Sequence, residues 1–197
     1  MNTIKNILIV SLVVLTLVSC KQQQARMPIS QTSGEFLKKS AERNKKLNKT
    51  EENQIASIIK KNPTVQYISS KKGYWYTYDV KNATETTFPK KGDIAYFDYE
   101  IKDLKGNVIY SQLELKPQSY AVDKQNIMMG LRDGIKLMHK KETVTFLFPS
   151  HMAFGYHGDD NRIGTNEPLI VTVTLNDFKP NTQDSATDNK KTLVTPE

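Results

Sequence analysis

Cysteine is almost missing from this chain of 197 residues: Cys20 is the only one, so no intramolecular disulfide can form. The three histidines, His139, His151 and His157, are not paired at ligand spacing on a shared helix face. With no second thiol to help them, the sequence offers no zinc pattern, and no cofactor is expected. No Gly-x-Ser-x-Gly elbow, Walker loop or dinucleotide fingerprint occurs, so hydrolytic, nucleotide-dependent and redox chemistry have no visible apparatus. Apolar residues make up only 38% and mean hydropathy is -0.54, lean for one packed body, so part of the chain reads as linker or tail.

The net charge of +7 suggests nucleic acid until it is divided along the chain. Residues 21–72 carry 12 basic and 4 acidic side chains, whereas residues 73–197 carry 15 and 17. Phosphate binding needs clustered Lys and Arg, so the nearly neutral remainder is not expected to bind nucleic acid.

Ile7–Val18 is an apolar run of roughly a dozen residues after Lys5, short of the ~20 that a spanning helix needs. It reads as the h-region of a signal peptide over 1–19. It closes in Leu17-Val18-Ser19-Cys20, which resembles a bacterial lipobox and implies lipidation of Cys20. Acyl chains contribute about 0.8 kcal/mol per buried CH₂, so two or three of them hold a bilayer durably. Lys21 rather than an acidic residue follows, and by resemblance to sorting rules the expected place is the cell envelope, at the outer membrane facing the periplasm.

Residues 20–33 then read as a polar, lipidated tether, and 34–72 as a lysine-rich helical arm with helix-prone runs at Glu35–Lys49 and Glu51–Lys61. Ile55, Ile58 and Ile59 make a narrow apolar stripe, Thr50 is placed to cap the second run and Pro63 to end it. Such an arm is either a solvated spacer or a docking or dimerisation element.

From Gly73 the period changes. Trp75–Val80, Ile94–Ile101, Val108–Gln112, Gln118–Val122, Glu142–Phe148 and Leu169–Leu175 are rich in aromatic and β-branched residues and read as strands. Leu169, Val171, Val173 and Leu175 alternate, which puts one face of the last strand into a core. Its partner is the helix expected over Ile127–His139, where Ile127, Met128, Leu131, Ile135 and Met138 share a face. Gly130 and Gly134 repeat every four residues there, which exposes bare backbone for close approach to a sheet or a ligand. Gly158-Asp-Asp-Asn161 reads as a solvated loop tip. The expected architecture is α+β, an antiparallel sheet curled around one short helix over 73–180, with a disordered tail over 181–197.

Nine large residues should converge over that helix: Tyr99, Ile109, Tyr120, Ile127, Met128, Leu131, Phe154, Ile163 and Val171. Taken alone they are either a site or simply the core. The ordered set Phe88-Pro-Lys-Lys-Gly92, Tyr99, Gly106, Lys124-Gln125, Ile127, Gly130, Gly134, Met138, Met152-Ala-Phe-Gly155, Ile163 and Asn166 before Leu169-Ile-Val resembles the FK506-binding-protein (FKBP) type of peptidyl-prolyl cis-trans isomerase, over 88–179. With the lipobox and arm, the chain is similar to FKBP-type lipoproteins associated with gliding motility. The resemblance implies a five- or six-stranded half-barrel wrapped around one helix, with those nine residues lining a proline pocket and the Met128 N–H binding a substrate carbonyl. It implies proline-containing client proteins of the envelope as partners.

The chain departs from the family where polar groups are expected. An aromatic-Asp pair after the first hairpin turn is here Ile109-Tyr110, the usual tyrosine of Tyr-Gly is Phe154, the pocket-floor tryptophan is Leu131, and a late-strand phenylalanine is Val171. Apolar character is kept and hydrogen-bonding groups are lost, so weak isomerase activity is expected, or a catalytically inactive binding or chaperone module.

Overall fold

The computed structural model describes residues 30–180. The signal-peptide reading, Cys20 and the tail reading over 181–197 lie outside the described residues. Of the described residues, 30–42 belong to one unit and 43–180 to another.

A single helix, α1 (Ser30–Lys61), replaces the two runs expected. Thr50 does not cap: its hydroxyl donates to the Lys46 carbonyl one turn back at 3.0 Å, a bond that a threonine makes inside a helix, so nothing interrupts the ladder. The helix also starts inside the segment read as a tether. In the first unit Phe36 and Leu37 are exposed. In the second, α1 is not fully solvated. Glu51 and Ile55 are buried, with Leu47, Ile58 and Ile59 half-buried on the same face.

The sheet has seven strands: β1 (Ile68–Ser69), β2 (Trp75–Val80), β3 (Ile94–Asp103), β4 (Val108–Tyr110), β5 (Gln118–Ala121), β6 (Thr143–Phe148) and β7 (Leu169–Lys179). The spatial order is β1-β2-β6-β7-β3-β4, with β5 also on β3, and every pairing is antiparallel. The two-residue β1 is the strand not expected, and it brings the end of the supposed helical arm into the sheet. β7 runs past Leu175 because β3 offers it partners as far as Ile94, opposite Lys179. The alternation holds: Leu169, Val171, Val173 and Leu175 are fully buried.

Across the concave face lies α3 (Met129–Gly134), continued by a 3₁₀ turn at Ile135–Leu137 and preceded by a short helix, α2 (Gln112–Leu115). The regular helix is shorter than Ile127–His139, since Ile127 and Met128 enter it in non-helical backbone. A Cβ on Gly130 would fall 2.5 Å from the Phe148 ring, and one on Gly134 2.7 Å from Phe146. The two phenylalanines stack at 5.2 Å on β6, so the glycine face meets the sheet rather than a ligand. Leu131, Ile135 and Met138 join them in the core.

Candidate functional site

The edge of β3 away from β7 is shared by two short strands. β5 pairs with Ile94–Phe97 and β4 with Ile101 and Lys102, which leaves the middle of the edge open around Tyr99. Between them the chain leaves the sheet and turns through α2. Ser111 caps this helix by accepting from the Glu114 N–H, while the Glu114 carboxylate accepts from the Ser111 N–H, a reciprocal capping box that makes so short a helix tenable.

All nine residues singled out from the sequence fall in one hydrophobic cluster. Four form its floor, with Tyr120, Leu131, Ile163 and Val171 at most 3% exposed. The other five, Tyr99, Ile109, Ile127, Met128 and Phe154, are half-buried and pack onto that floor from β3, β4, the segment before α3 and the turn after β6. Those five therefore touch the core while part of each stays exposed. Partial burial, with the nearby Tyr110, raises the Tyr99 hydroxyl pKa above its ordinary value. The Tyr120 hydroxyl accepts from the Asp123 N–H at 2.9 Å, so the one hydroxyl in the floor is satisfied within the protein. Met128 is the N-cap residue just before α3, and the first N–H groups of a helix have no carbonyl one turn earlier to donate to.

The loop after Phe154 is more ordered than a solvated tip. Asp159 Oδ1 accepts from the N–H groups of Asn161, Arg162 and Ile163 at 3.0, 2.9 and 2.7 Å, and its Oδ2 accepts from the Tyr110 hydroxyl. Arg162 reaches back across the cluster, donating to the Ile109 carbonyl at 2.8 Å and the Glu114 carboxylate at 2.9 Å, with its guanidinium 4.9 Å from the Tyr110 ring centre. Ile163 is thereby seated on the floor with β4 opposite. Partial burial pushes the Asp159 carboxyl up, but the Tyr110 hydroxyl and the three N–H groups outweigh it and leave it low. The Ser111 N–H, Arg162 and the Ser111 hydroxyl lower Glu114 to about 2. Sequence reading missed Asp159, Arg162 and Glu114 because each is a charged residue in a loop or surface turn. The one available signal was the capping-box spacing of Ser111 and Glu114.

Three grooves of 500 to 540 Å³ lie elsewhere, one beside Ile58 of α1 and Pro168, one beside Leu47 and Tyr156, and one beside Arg132 and His151. None of the nine residues lines them. The candidate site is distinguished by its aromatic and aliphatic lining, and not by volume.

Residues 85–176 match the family model described as FKBP-type peptidyl-prolyl cis-trans isomerase. A relative from Neisseria meningitidis serogroup B, named probable FKBP-type peptidyl-prolyl cis-trans isomerase FkpA, is 27% identical over 99 residues, half of this chain and 36% of that protein. The chain therefore spans about a third of the length of the curated relative it matches. Among solved structures, a peptidyl-prolyl cis-trans isomerase from Pseudomonas syringae pv. tomato superposes with a TM-score of 0.56 at 18% identity, covering 68% of this chain and 95% of that one. FkpA from Escherichia coli superposes with a TM-score of 0.53 at 22% identity, over 89% and 82%. At these identities the superpositions speak for the fold.

Proposed function

Residues 85–176 match the FKBP-type family model, and on that premise we propose that the protein is a lipid-anchored peptidyl-prolyl cis-trans isomerase acting on extracytoplasmic client proteins. The observation that carries the reading is the gathering of nine apolar and aromatic residues into one cluster, five of them left half-exposed. Rotation about an X-Pro bond meets a barrier of roughly 20 kcal/mol because resonance flattens the amide, and uncatalysed exchange takes tens of seconds or longer. In the twisted amide the C–N bond loses double-bond character and charge separation. An apolar hollow that accepts the proline ring and fits this twisted form lowers the barrier without acid, base or metal. Tyr120, Leu131, Ile163 and Val171 form the floor under the ring, the five half-exposed residues form its walls, and the Met128 N–H donates to the carbonyl beside it.

The finer assignments rest on sequence. The lipobox ending at Cys20 supports a diacylglyceryl anchor, and Lys21 supports the outer membrane facing the periplasm. Resemblance to motility-associated lipoproteins supports components of gliding machinery as clients. Replacing Cys20 by Ser should move the protein from the membrane pellet to the soluble fraction; retention in the pellet speaks against the anchor.

The activity is tested by NMR measurement of cis-trans exchange in an X-Pro peptide with the chain from Lys21. Accelerated exchange abolished by Tyr120→Ala is the expected result, and acceleration that survives this change rules out the pocket. A second reading, a binding or chaperone module without catalysis, is favoured by Tyr110 and Phe154, which stand where the family has polar groups. Peptide binding without accelerated exchange would select it.

A further inference from the structure

We infer that Glu51, on α1 and 99 residues away in sequence from Ser150, is a positioning residue for the prolyl site, acting through Ser150 on Phe154. The inference rests on the reading of Phe154 as part of that site. Glu51 is 2% exposed and Ser150 likewise. The Ser150 N–H donates to one Glu51 carboxylate oxygen at 2.8 Å and the Ser150 hydroxyl to the other at 2.7 Å. A buried carboxylate is tolerated only when it is hydrogen-bonded, and bonds to a charged acceptor are the strong ones, so this contact holds the serine firmly.

What Ser150 does with its remaining polar group connects the clamp to the site. Its carbonyl accepts from the Ala153 N–H at 3.0 Å and from the Gly155 N–H at 2.8 Å, the two residues that flank Phe154. Gly155 in turn gives its carbonyl to the Asn166 N–H at 2.8 Å, which ties in the far end of the loop carrying Ile163. Phe154 itself is only half-buried, so packing alone leaves it room to move. Its backbone is fixed by hydrogen bonds that converge on one serine, and that serine is fixed by Glu51. The same face of α1 carries Ile55, fully buried but outside the central cluster. Ile55 supplies adhesion, and Glu51 supplies position.

Three variants of the chain from Lys21 test this: Glu51→Ala, Glu51→Gln and Ile55→Ala, with Ser150→Ala as a milder probe should Glu51→Ala not fold. Glu51→Ala is expected to lower kcat/KM on an X-Pro peptide by about tenfold through misplacement of Phe154, chiefly in kcat, and to speed hydrogen exchange at the Gly155 and Asn166 amides. Glu51→Gln keeps an acceptor for one Ser150 donor and should recover most of both. Ile55→Ala should lower the melting temperature at least as much while leaving kcat/KM and Gly155 protection as in the unmodified chain. Wild-type kcat/KM and wild-type Gly155 protection in Glu51→Ala overturn the inference, as does an equal loss in Ile55→Ala. If the unmodified chain shows no isomerase activity, the proposed function fails, and the exchange rates at Gly155 and Asn166 alone decide whether Glu51 orders the turn.

Discussion

The Tyr110 hydroxyl on β4 donates to the Asp159 carboxylate on the loop before β7, joining two segments 49 residues apart along one side of the candidate site. Where the resemblance to the FKBP type implies an aspartate this chain has the Tyr110 phenol, and the carboxylate beside it comes from Asp159. It arrives from the opposite loop and is held by a phenol. Asn161 Nδ2 also donates to the Tyr110 oxygen at 3.0 Å, which makes this hydroxyl a junction.

Removing the junction should be visible in the carboxylate. Tyr110→Phe deletes one of the donors that hold Asp159 low, so the Asp159 pKa is expected to rise toward its ordinary 3.8 while the three backbone N–H bonds persist. Carboxyl-carbon NMR titration of the two proteins reads this directly. Identical titration curves would mean that the phenol and carboxylate do not meet in solution. Tyr110→Asp, by contrast, would set two carboxylates against each other and loosen the loop unless Asp159→Asn accompanies it.

The Glu114–Arg162 tether carries its own pH signature. Glu114 has an ordinary value of 4.5 and sits at about 2 in the fold. A carboxyl lowered by folding stabilises the native state above its unfolded value and loses that contribution as pH falls toward the folded one. The loop should therefore be fully tethered at neutral pH and released progressively from pH 4.5 down to about 2, with Asp159 changing in the same direction. The Glu114 carboxyl signal should titrate near the lower end of that window, and a midpoint at 4.5 would show an untethered loop.

Gly130→Ala tests the packing of the helix on the sheet. Its new methyl would fall 2.5 Å from the Phe148 ring, so either the ring or α3 must shift, at a cost of about 1–3 kcal/mol. Urea denaturation should show that loss, and Phe148→Leu in the same chain should relieve part of it. A neutral Gly130→Ala would mean that α3 lies farther from β6 than described.

Tyr120 separates ring from hydroxyl. Tyr120→Phe keeps the aromatic floor but leaves the Asp123 N–H without its acceptor, costing about 1 kcal/mol of stability while isomerisation is largely retained. A loss of turnover as complete as in Tyr120→Ala would assign the hydroxyl itself a part in catalysis, against the apolar mechanism.

Much of the fold was legible because burial imposes periodicity. Leu169 to Leu175 alternate since one face of β7 meets the core, and the four-residue spacing of Gly130 and Gly134 reported a face too close to Phe146 and Phe148 for side chains. The nine apolar residues were found by their kind and order. What eluded sequence reading was polar: a buried Glu51 reads as one more charge on a solvated arm, and Asp159 as a loop tip. Yet Glu51 stands four residues before Ile55 and seven before Ile58, so the apolar stripe of α1 does continue through it.

Hydrophobic pattern along the chain thus determined by itself that there is an antiparallel sheet, a glycine-faced helix upon it and a set of aromatic and aliphatic residues between them, because those features depend on which neighbours in sequence share a face. The number of strands, the unbroken α1 and the hydrogen bonds from Glu51 to Ser150 and from Tyr110 to Asp159 were decided only in three dimensions. A charged side chain looks the same in sequence whether water or a distant backbone N–H satisfies it, and only the folded chain brings that N–H within 3 Å.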